Sequence, residues 1–313
     1  MSRIHEALKR AEMERAATHS AVGGGVPLEP KAVAVSKAEN GRAAADEREI
    51  KPTVAAEKTG HLEFSELQMG HAADATWNPD PNSDVFSPAH GGHGAEQFRT
   101  LRSRLYQLRS SHPLRTLLVT SSMAGEGKTF VTSNLVRSIV RQSERRVLVI
   151  DADLRRPRLH TVFGAPAAPG LSDYLRGTAE EASVIQHGGT ENLCLIPSGT
   201  RVNDPSELLS NGRIKTLLDR VGPAFDWVII DSPPCLPVAD AGIIAHWCDG
   251  VLLVVRAGFT PSAAALKSRQ ELKQRNVVGV VLNAVTEDTQ AYGPYYGSGR
   301  REYAATVSKS TTN

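Results

Sequence analysis

A glycine-rich turn, Ser121-Ser122-Met123-Ala124-Gly125-Glu126-Gly127-Lys128-Thr129, separates an apolar run from a pattern typical of a helix. The run at 117–119 predicts a buried strand before the turn, and residues 130–141 predict a helix after it. Glycines let backbone N–H groups approach phosphate oxygens, and a helix N-terminus favours negative charge. A turn without a ligand is the alternative, which the flanking strand and helix disfavour. The sequence therefore predicts a nucleotide-binding loop.

The last residues of this loop have side chains suited to bind phosphate and a metal ion. Lys128 is suited to reach β- and γ-phosphate oxygens, and the hydroxyl of Thr129 is suited to ligate Mg²⁺. Ser122 stands where the common G-x-x-x-x-G-K-[ST] pattern begins with glycine. The predicted nucleotide contacts along the loop are Ala124, Gly125, Glu126, Gly127, Lys128, Thr129 and Phe130.

Two further apolar runs each end in aspartate. The first, at 147–150, leads into Asp151-Ala152-Asp153-Leu154-Arg155, and the second, at 228–230, leads into Asp231-Ser232-Pro233-Pro234. The carboxyl ends of parallel strands meet at one edge of a sheet, where ligands collect. We therefore expect Asp151, Asp153 and Asp231 to surround the metal and phosphates. For any one of them alone, a role in capping a helix or a turn remains the alternative.

Strand and helix patterns alternate along the rest of the chain. Strands are predicted at 115–120, 146–151, 192–196, 226–231, 250–255 and 277–282. Helices are predicted at 95–108, 128–141, 170–176, 205–220, 238–246 and 261–274. This order predicts an α/β domain with a parallel sheet and helices on both faces, similar to P-loop NTPases.

Composition divides the 313 residues into four parts. Residues 1–18 predict a short amphipathic helix, which either docks on a membrane or scaffold partner or frays in water. Residues 19–93 contain few large apolar side chains and predict a disordered linker. Residues 94–290 form the predicted nucleotide-binding domain, and residues 291–313 a flexible tail rich in tyrosine.

Charge and cysteine content indicate which partners and which cellular compartment to expect. A net charge of only +2 gives no reason to expect nucleic acid as a direct partner. The three cysteines lack C-x-x-C spacing, which is typical of a reduced, cytosolic protein. No apolar stretch approaches the roughly 18 to 20 residues that cross a bilayer. Any contact with a membrane is therefore expected to depend on a partner.

Two surface patterns lie outside the nucleotide loop. Glu96, Arg99 and Arg102 recur every third residue and form a charged ridge, which either is solvated or contacts another subunit. The tail places Tyr292, Tyr295, Tyr296 and Tyr303 among glycine and proline, so their phenols are expected to be accessible. A low-complexity tail with incidental aromatics is the alternative.

Together the loop, the Asp151-x-Asp153-x-Arg155 and Asp231-x-x-Pro234 motifs and the tyrosine tail resemble the bacterial tyrosine kinases of the CpsD/CapB type. The resemblance covers about residues 95–303. It implies an autokinase that uses ATP and Mg²⁺ and regulates synthesis and export of capsular or extracellular polysaccharide. It further implies a homo-oligomeric ring with contacts through Glu96, Arg99 and Arg102, and a membrane-embedded activator protein.

The resemblance also implies residue roles. Lys128 would neutralise phosphate charge, Thr129, Asp151 and Asp231 would hold the metal, and Asn283 would face adenine. Tyrosine has a reference pKa near 10, so its hydroxyl benefits from a carboxylate that accepts the proton. Asp151 is the preferred base and Asp153 the alternative. The four tail tyrosines would be the acceptors. Arg256 is expected near the nucleotide, at a subunit boundary or simply on the surface.

Two other functions are compatible with the same motifs. A Min/Par-type switch ATPase shares the fold and the aspartates, but such ATPases usually carry a lysine early in the loop, where this chain has Met123. They also need no tyrosine tail. An inactive scaffold is disfavoured because Lys128, Thr129 and the three aspartates are all present.

Overall fold

The computed structural model describes residues 60–64, 77–87, 93–142, 144–188 and 190–285. The predicted N-terminal helix, most of the predicted linker and the tyrosine tail lie outside these ranges. The described part is built around one seven-stranded sheet whose strand order is β3-β4-β2-β5-β1-β6-β7. The strands are β1 (Thr116–Ser121), β2 (Val147–Asp151), β3 (Gln186–Gly188), β4 (Thr190–Ile196), β5 (Trp227–Asp231), β6 (Gly250–Arg256) and β7 (Val277–Asn283).

Helices connect the strands and cover both faces of the sheet. They are α1 (His93–Ser111), α2 (Lys128–Val140), α3 (Leu159–Phe163), α4 (Leu171–Arg176), α5 (Glu181–Val184), α6 (Pro205–Ser210), α7 (Arg213–Val221), α8 (Asp240–Ala245) and α9 (Ser262–Glu271). The predicted helix at 95–108 is confirmed as the central part of α1. Short 3₁₀ turns at Pro81–Ser83 and Gly222–Ala224 complete the described secondary structure.

Both faces of the central strands are buried, whereas Val280 and Leu282 of the edge strand β7 are exposed. Every residue of β1 is buried, and its side chains alternate between two separate apolar clusters, with Leu118 in one and Leu117 and Val119 in the other. Strands covered on both sides are expected to be continuous aliphatic runs, as β1, β2 and β5 are. The predicted parallel sheet with helices on both faces is thus confirmed.

The structure differs from the sequence prediction in one helix and one strand, and the short helices α3 and α5 were not predicted either. The predicted helix at 205–220 is two helices, because the side chain of Asn211 accepts the N–H of Arg213 at 3.0 Å and Gly212 adopts φ +79°. Left-handed backbone at Gly212 cannot continue a helix. The edge strand β3 was not predicted, and it pairs antiparallel with β4. Its three residues carry no aliphatic side chain from which a strand could be recognised.

Two segments inside the predicted linker pack against the domain. Phe64 is only 9% exposed, lies edge-on to Phe225 at 5.6 Å and lies under the guanidinium of Arg146. The N–H of Leu62 also donates to the carbonyl of Arg220 at 3.0 Å. The prediction of a disordered linker is therefore wrong for residues 60–64.

The second segment, residues 77–87, crosses the other side of the domain. The indole of Trp77 contacts Phe163 at 5.8 Å between ring centroids, and its ring lies where a Cβ at Gly188 would be. Val85 is 6% exposed, and its N–H donates to the side chain of Asn134 at 3.0 Å. Aromatic anchors in a segment of low overall hydropathy explain why composition alone missed these contacts.

Because Phe64 fills a buried position, Phe64→Ala should lower the free energy of unfolding by about 3 kcal/mol. As a matched control, Leu266→Ala removes a side chain that is 60% exposed and should change it by less than about 0.5 kcal/mol. Urea titrations followed by circular dichroism would measure both. Equal effects of the two substitutions would mean that residues 60–64 do not belong to the folded domain.

Candidate nucleotide-binding and catalytic site

The glycine-rich loop joins β1 to the N-terminus of α2. Gly125 and Gly127 adopt φ values of +85° and +89°, a left-handed backbone that favours glycine. Helix α2 begins directly at Lys128, so its free N–H groups face the loop. Ser122, at the position where the common pattern has glycine, is fully buried. The loop therefore has the backbone shape of a phosphate cradle.

Several side chains around this loop form hydrogen bonds with its backbone. The amide of Asn283 donates to the carbonyl of Glu126 at 2.9 Å, and the guanidinium of Arg256 donates to the carbonyl of Gly125 at 3.3 Å. Glu126 is buried, and its carboxylate accepts the N–H of Met123 at 2.7 Å. The Glu126 side chain thus bonds to the backbone of the loop and is not available to solvent. Asn283 contacts the loop from the end of β7.

The ammonium of Lys128 lies among three carboxylates. Its Nζ donates to Oδ2 of Asp153 at 2.7 Å, and both side chains are largely buried. Burial alone would lower the pKa of Lys128. The attraction of Asp231, Asp153 and Asp151 outweighs burial, so the pKa is raised and the lysine stays charged.

Asp231 is bonded to two hydroxyls of α2. The hydroxyl of Thr129 donates to Oδ2 at 2.6 Å, and that of Thr132 lies 3.2 Å from Oδ1. Burial raises the pKa of Asp231 to about 6, while Lys128 and the bond from Thr129 oppose the rise. The role of Thr132 was not predicted. Its spacing of three residues from Thr129 on one helix face was the available signal.

Asp151 lies beside Asp231 in the sheet, because the register of β2 and β5 pairs these two residues directly. Its carboxylate accepts the backbone N–H groups of Leu159 at 2.9 Å, Arg158 at 3.1 Å and Asp153 at 3.2 Å. Complete burial raises the pKa of Asp151 to about 8, and the charge of Asp231 adds to the rise, while the backbone hydrogen bonds oppose it. The three predicted aspartates therefore do converge.

Arg155 connects this site to two helices that the sequence analysis did not place there. Its guanidinium donates to both carboxylate oxygens of Asp240, at 2.8 and 3.1 Å, and to the hydroxyl of Ser206 at 2.8 Å. Asp240 is completely buried at the start of α8. A bidentate pair of this kind fixes the segment that carries Asp153. No sequence spacing could have identified the pair, since 85 residues separate its members.

The other predicted site residues are distributed as follows. Phe130 is partly exposed and its ring packs edge-on against Phe98 at 6.1 Å, away from the glycines. Glu96 and Arg99 pair with each other on the exposed side of α1, whereas Arg102 donates to the carbonyl of Ser138. The four tail tyrosines lie outside the described residues.

The donor set fits a magnesium nucleotide. Mg²⁺ prefers oxygen ligands and is usually held by one or two carboxylates together with substrate phosphates. Thr129 and Asp231 supply a hydroxyl and a carboxylate beside the cradle. Among the residues that the structure describes, no group of three or more His, Cys, Asp or Glu side chains could hold a metal ion alone.

A left-handed glycine loop before a helix, a lysine at that helix's first position and aspartates at the ends of neighbouring strands define a P-loop nucleotide-binding protein. Comparison with known proteins narrows the class. A family model described as an AAA domain matches residues 114–266. Tyrosine-protein kinase YwqD of Bacillus subtilis is 32% identical over 206 residues, which cover 65% of this chain and 86% of YwqD. Tyrosine-protein kinase CpsD of Streptococcus agalactiae is 33% identical, covering 66% of this chain and 90% of CpsD.

The chain belongs to the family of bacterial tyrosine-protein kinases. The solved kinase domain of Escherichia coli tyrosine kinase ETK is 34% identical and superposes with a TM-score of 0.62, covering 74% of this chain and 91% of that domain. The match to full-length Etk of E. coli spans only 26% of that longer protein. No helix in the described part of this chain is long and apolar enough to span a membrane.

Substituting the second glycine of the loop should disturb Asn283. A Cβ at Gly127 would lie 2.1 Å from the Asn283 amide nitrogen, whereas nothing lies within 4 Å of a Cβ at Gly125. Alanine is disfavoured by the left-handed backbone at both positions, so the difference between the two variants measures the effect of the contact with Asn283. We expect Gly127→Ala to weaken binding of a fluorescent ADP analogue about fivefold more than Gly125→Ala, from loss of one hydrogen bond. Equal affinities would contradict this role of Asn283.

The raised pKa of Asp151 predicts how stability depends on pH. The folded state holds the proton more tightly than the unfolded chain, so stability is fully present below the reference pKa of 3.8 and is lost as pH rises towards about 8. The free energy of unfolding should fall by up to about 1.4 kcal/mol per pH unit in this range. Asp151→Asn should give a shallower slope in urea titrations from pH 5 to pH 9. Glu96→Gln, on an exposed surface, is the control, and an unchanged slope in Asp151→Asn would refute the prediction.

Proposed function

We propose that this chain is an ATP-dependent protein-tyrosine kinase that phosphorylates its own tail at Tyr292, Tyr295, Tyr296 and Tyr303. The observation that carries the proposal is the convergence of Lys128 with Asp151, Asp153 and Asp231 beside the glycine loop. Family membership supports the same activity. ATPases of the Min/Par type usually carry a lysine where this chain has Met123, and they need no tyrosine tail.

The geometry suggests how the residues divide the reaction. Lys128 leaves Asp153 and turns to the β- and γ-phosphate oxygens, where it neutralises charge. The phenolic oxygen of a tyrosine attacks the γ-phosphorus, the bond to the bridging oxygen of ADP breaks, and the phenolic proton passes to a carboxylate. We assign that carboxylate to Asp151, because its raised pKa makes the ionised form a stronger proton acceptor than an ordinary aspartate. Asp153 is the second candidate.

Magnesium would be held by Thr129 and Asp231, with Asp151 beside them in the sheet. When bound, the metal supplies positive charge that offsets the negative charge of the β- and γ-phosphates. The two hydroxyls from α2 keep the Asp231 carboxylate oriented at the end of β5. The loop amides and Lys128 would position the nucleotide. By analogy with the family we also assign Asn283 to adenine, for which its amide would exchange the bond to the Glu126 carbonyl for one to the base.

The two tyrosines that the structure describes are packed against the domain. Tyr174 is 2% exposed, and Tyr106 stacks on Trp227 at 5.7 Å between ring centroids. Burial raises the pKa of each phenol, which further disfavours attack by its oxygen. The other four of the six tyrosines belong to the tail, which is why we place the acceptors there.

We further propose that the kinase works as a homo-oligomeric ring, in which the tail of one subunit enters the site of its neighbour. Glu96 and Arg99 are the exposed members of the ridge available for subunit contacts. Arg102, which donates to its own chain at Ser138, contributes by fixing α1 on α2. A membrane-embedded partner would recruit the ring to the cytoplasmic face of the membrane and couple it to synthesis and export of extracellular polysaccharide.

The test is phosphate mapping by mass spectrometry after incubation of the full chain with ATP and Mg²⁺, alone and with cytoplasmic segments of candidate activators. Lys128→Met should reduce tyrosine phosphorylation at least about a hundredfold, because a preorganised charge at the phosphates is lost. Asp151→Asn should block transfer while nucleotide still binds. Changing the four tail tyrosines to Phe should abolish the signal, whereas Tyr106→Phe, at a packed position, should preserve it.

Lys128→Met leaves Asp153 buried without its cationic partner, so its thermal unfolding is recorded beside its activity. If ATP is hydrolysed but no phosphotyrosine forms under any condition, the kinase proposal is refuted and the switch ATPase is supported. Phosphate on Thr306 or Ser308 would contradict the assignment of the acceptors.

A further inference from the structure

A hydroxyl from outside the nucleotide motifs is bonded to the glycine loop. Thr260, in the connection between β6 and α9, donates to Oε1 of Glu126, whose other oxygen accepts the N–H of Met123 at 2.7 Å. The same hydroxyl accepts the backbone N–H of Arg256 at 2.8 Å. Glu126 itself is only 1% exposed, so water has little access to its carboxylate.

The last residues of β6 and β7 contact the loop as well. The Arg256 guanidinium reaches the carbonyl of Gly125, and the Asn283 amide reaches the carbonyl of Glu126. The end of β7 is in turn bonded to the connection between β6 and α9, because the N–H of Ala257 donates to the carbonyl of Asn283 at 2.9 Å. The glycine loop is therefore braced from outside by residues more than 120 positions away in sequence.

We propose that Thr260, acting through the buried carboxylate of Glu126, is a positioning residue that holds the glycine loop in its nucleotide-binding shape. This inference rests on the nucleotide site proposed above. The role is indirect, because the Thr260 hydroxyl bonds to the Glu126 carboxylate and lies outside the glycine loop itself. It requires the Thr260 hydroxyl and not merely its volume.

The physical reason is the cost of leaving a buried carboxylate oxygen without a donor. If the Thr260 hydroxyl is removed, Oε1 of Glu126 loses its bond in a site that excludes water, so the carboxylate gains free energy by turning away. Met123 N–H then loses its acceptor, and the loop backbone samples other conformations. A ligand that binds only one of these conformations binds more weakly in proportion to the population lost.

The experiment compares Thr260→Val, which keeps the shape but removes the hydroxyl, with Thr260→Ser, which keeps the hydroxyl. Titration with a fluorescent ADP analogue should give about tenfold weaker binding for Thr260→Val, the effect of one charge-assisted hydrogen bond. Thr260→Ser should stay within about twofold of the unchanged chain. Hydrogen exchange of the nucleotide-free protein should accelerate at the Met123 amide in Thr260→Val, while the β1 amides exchange as before.

A double-variant comparison tests whether Thr260 acts through Glu126. In a Glu126→Ala background, Thr260→Val should weaken binding by less than about twofold, because the carboxylate it would release is gone. A full tenfold effect in that background, or unchanged affinity and exchange in Thr260→Val alone, would overturn the proposal. Failure of the unchanged chain to bind the analogue would instead refute the nucleotide site. The hydrogen-exchange measurement uses nucleotide-free protein, so it tests the effect of the Thr260 to Glu126 bond on the loop independently of nucleotide binding.

Discussion

The ammonium of Lys128 is the charge on which the arrangement of the site depends. Strand register alone brings Asp151 and Asp231 side by side, and the loop after β2 adds Asp153. Three buried carboxylates in one place repel one another, and each has lost most of its hydration. A lysine at the first position of α2 offsets part of this repulsion, so the residue that would bind phosphate is also the residue that makes the acidic cluster tolerable.

Repulsion among the carboxylates consequently favours a ligand that arrives together with a cation. When Lys128 moves towards phosphate, Asp153 loses its partner, and the cluster needs new positive charge. In the proposed complex, Mg²⁺ would supply positive charge beside the carboxylates, while the loop N–H groups and Lys128 would offset the charge of the phosphates. Hydrogen bonds from Thr129 and Thr132 hold Asp231 oriented meanwhile.

Much of this could be predicted from the sequence because the signals were local. Aliphatic runs predicted the strands, Gly-Lys-Thr predicted the loop, and aspartates after two of the runs predicted the acidic edge. The prediction failed where structure depends on a single side chain or on distant contacts. Asn211 divides a helix through one hydrogen bond, and the anchoring of residues 60–64 depends on Phe64 meeting residues more than 80 positions away. The Thr260 to Glu126 bond likewise joins two loops whose proximity only the folded sheet creates.

The anchored segments at residues 60–64 and 77–87 have a practical consequence for recombinant expression. A truncated protein beginning at residue 94 would retain every nucleotide motif and appear to be a sensible minimal kinase. It would nevertheless uncover Phe225 on one flank and Phe163 on the other, where Phe64 and Trp77 now cover them. Freshly uncovered aromatic surface promotes self-association. Such a truncated protein would therefore aggregate through these uncovered aromatic faces.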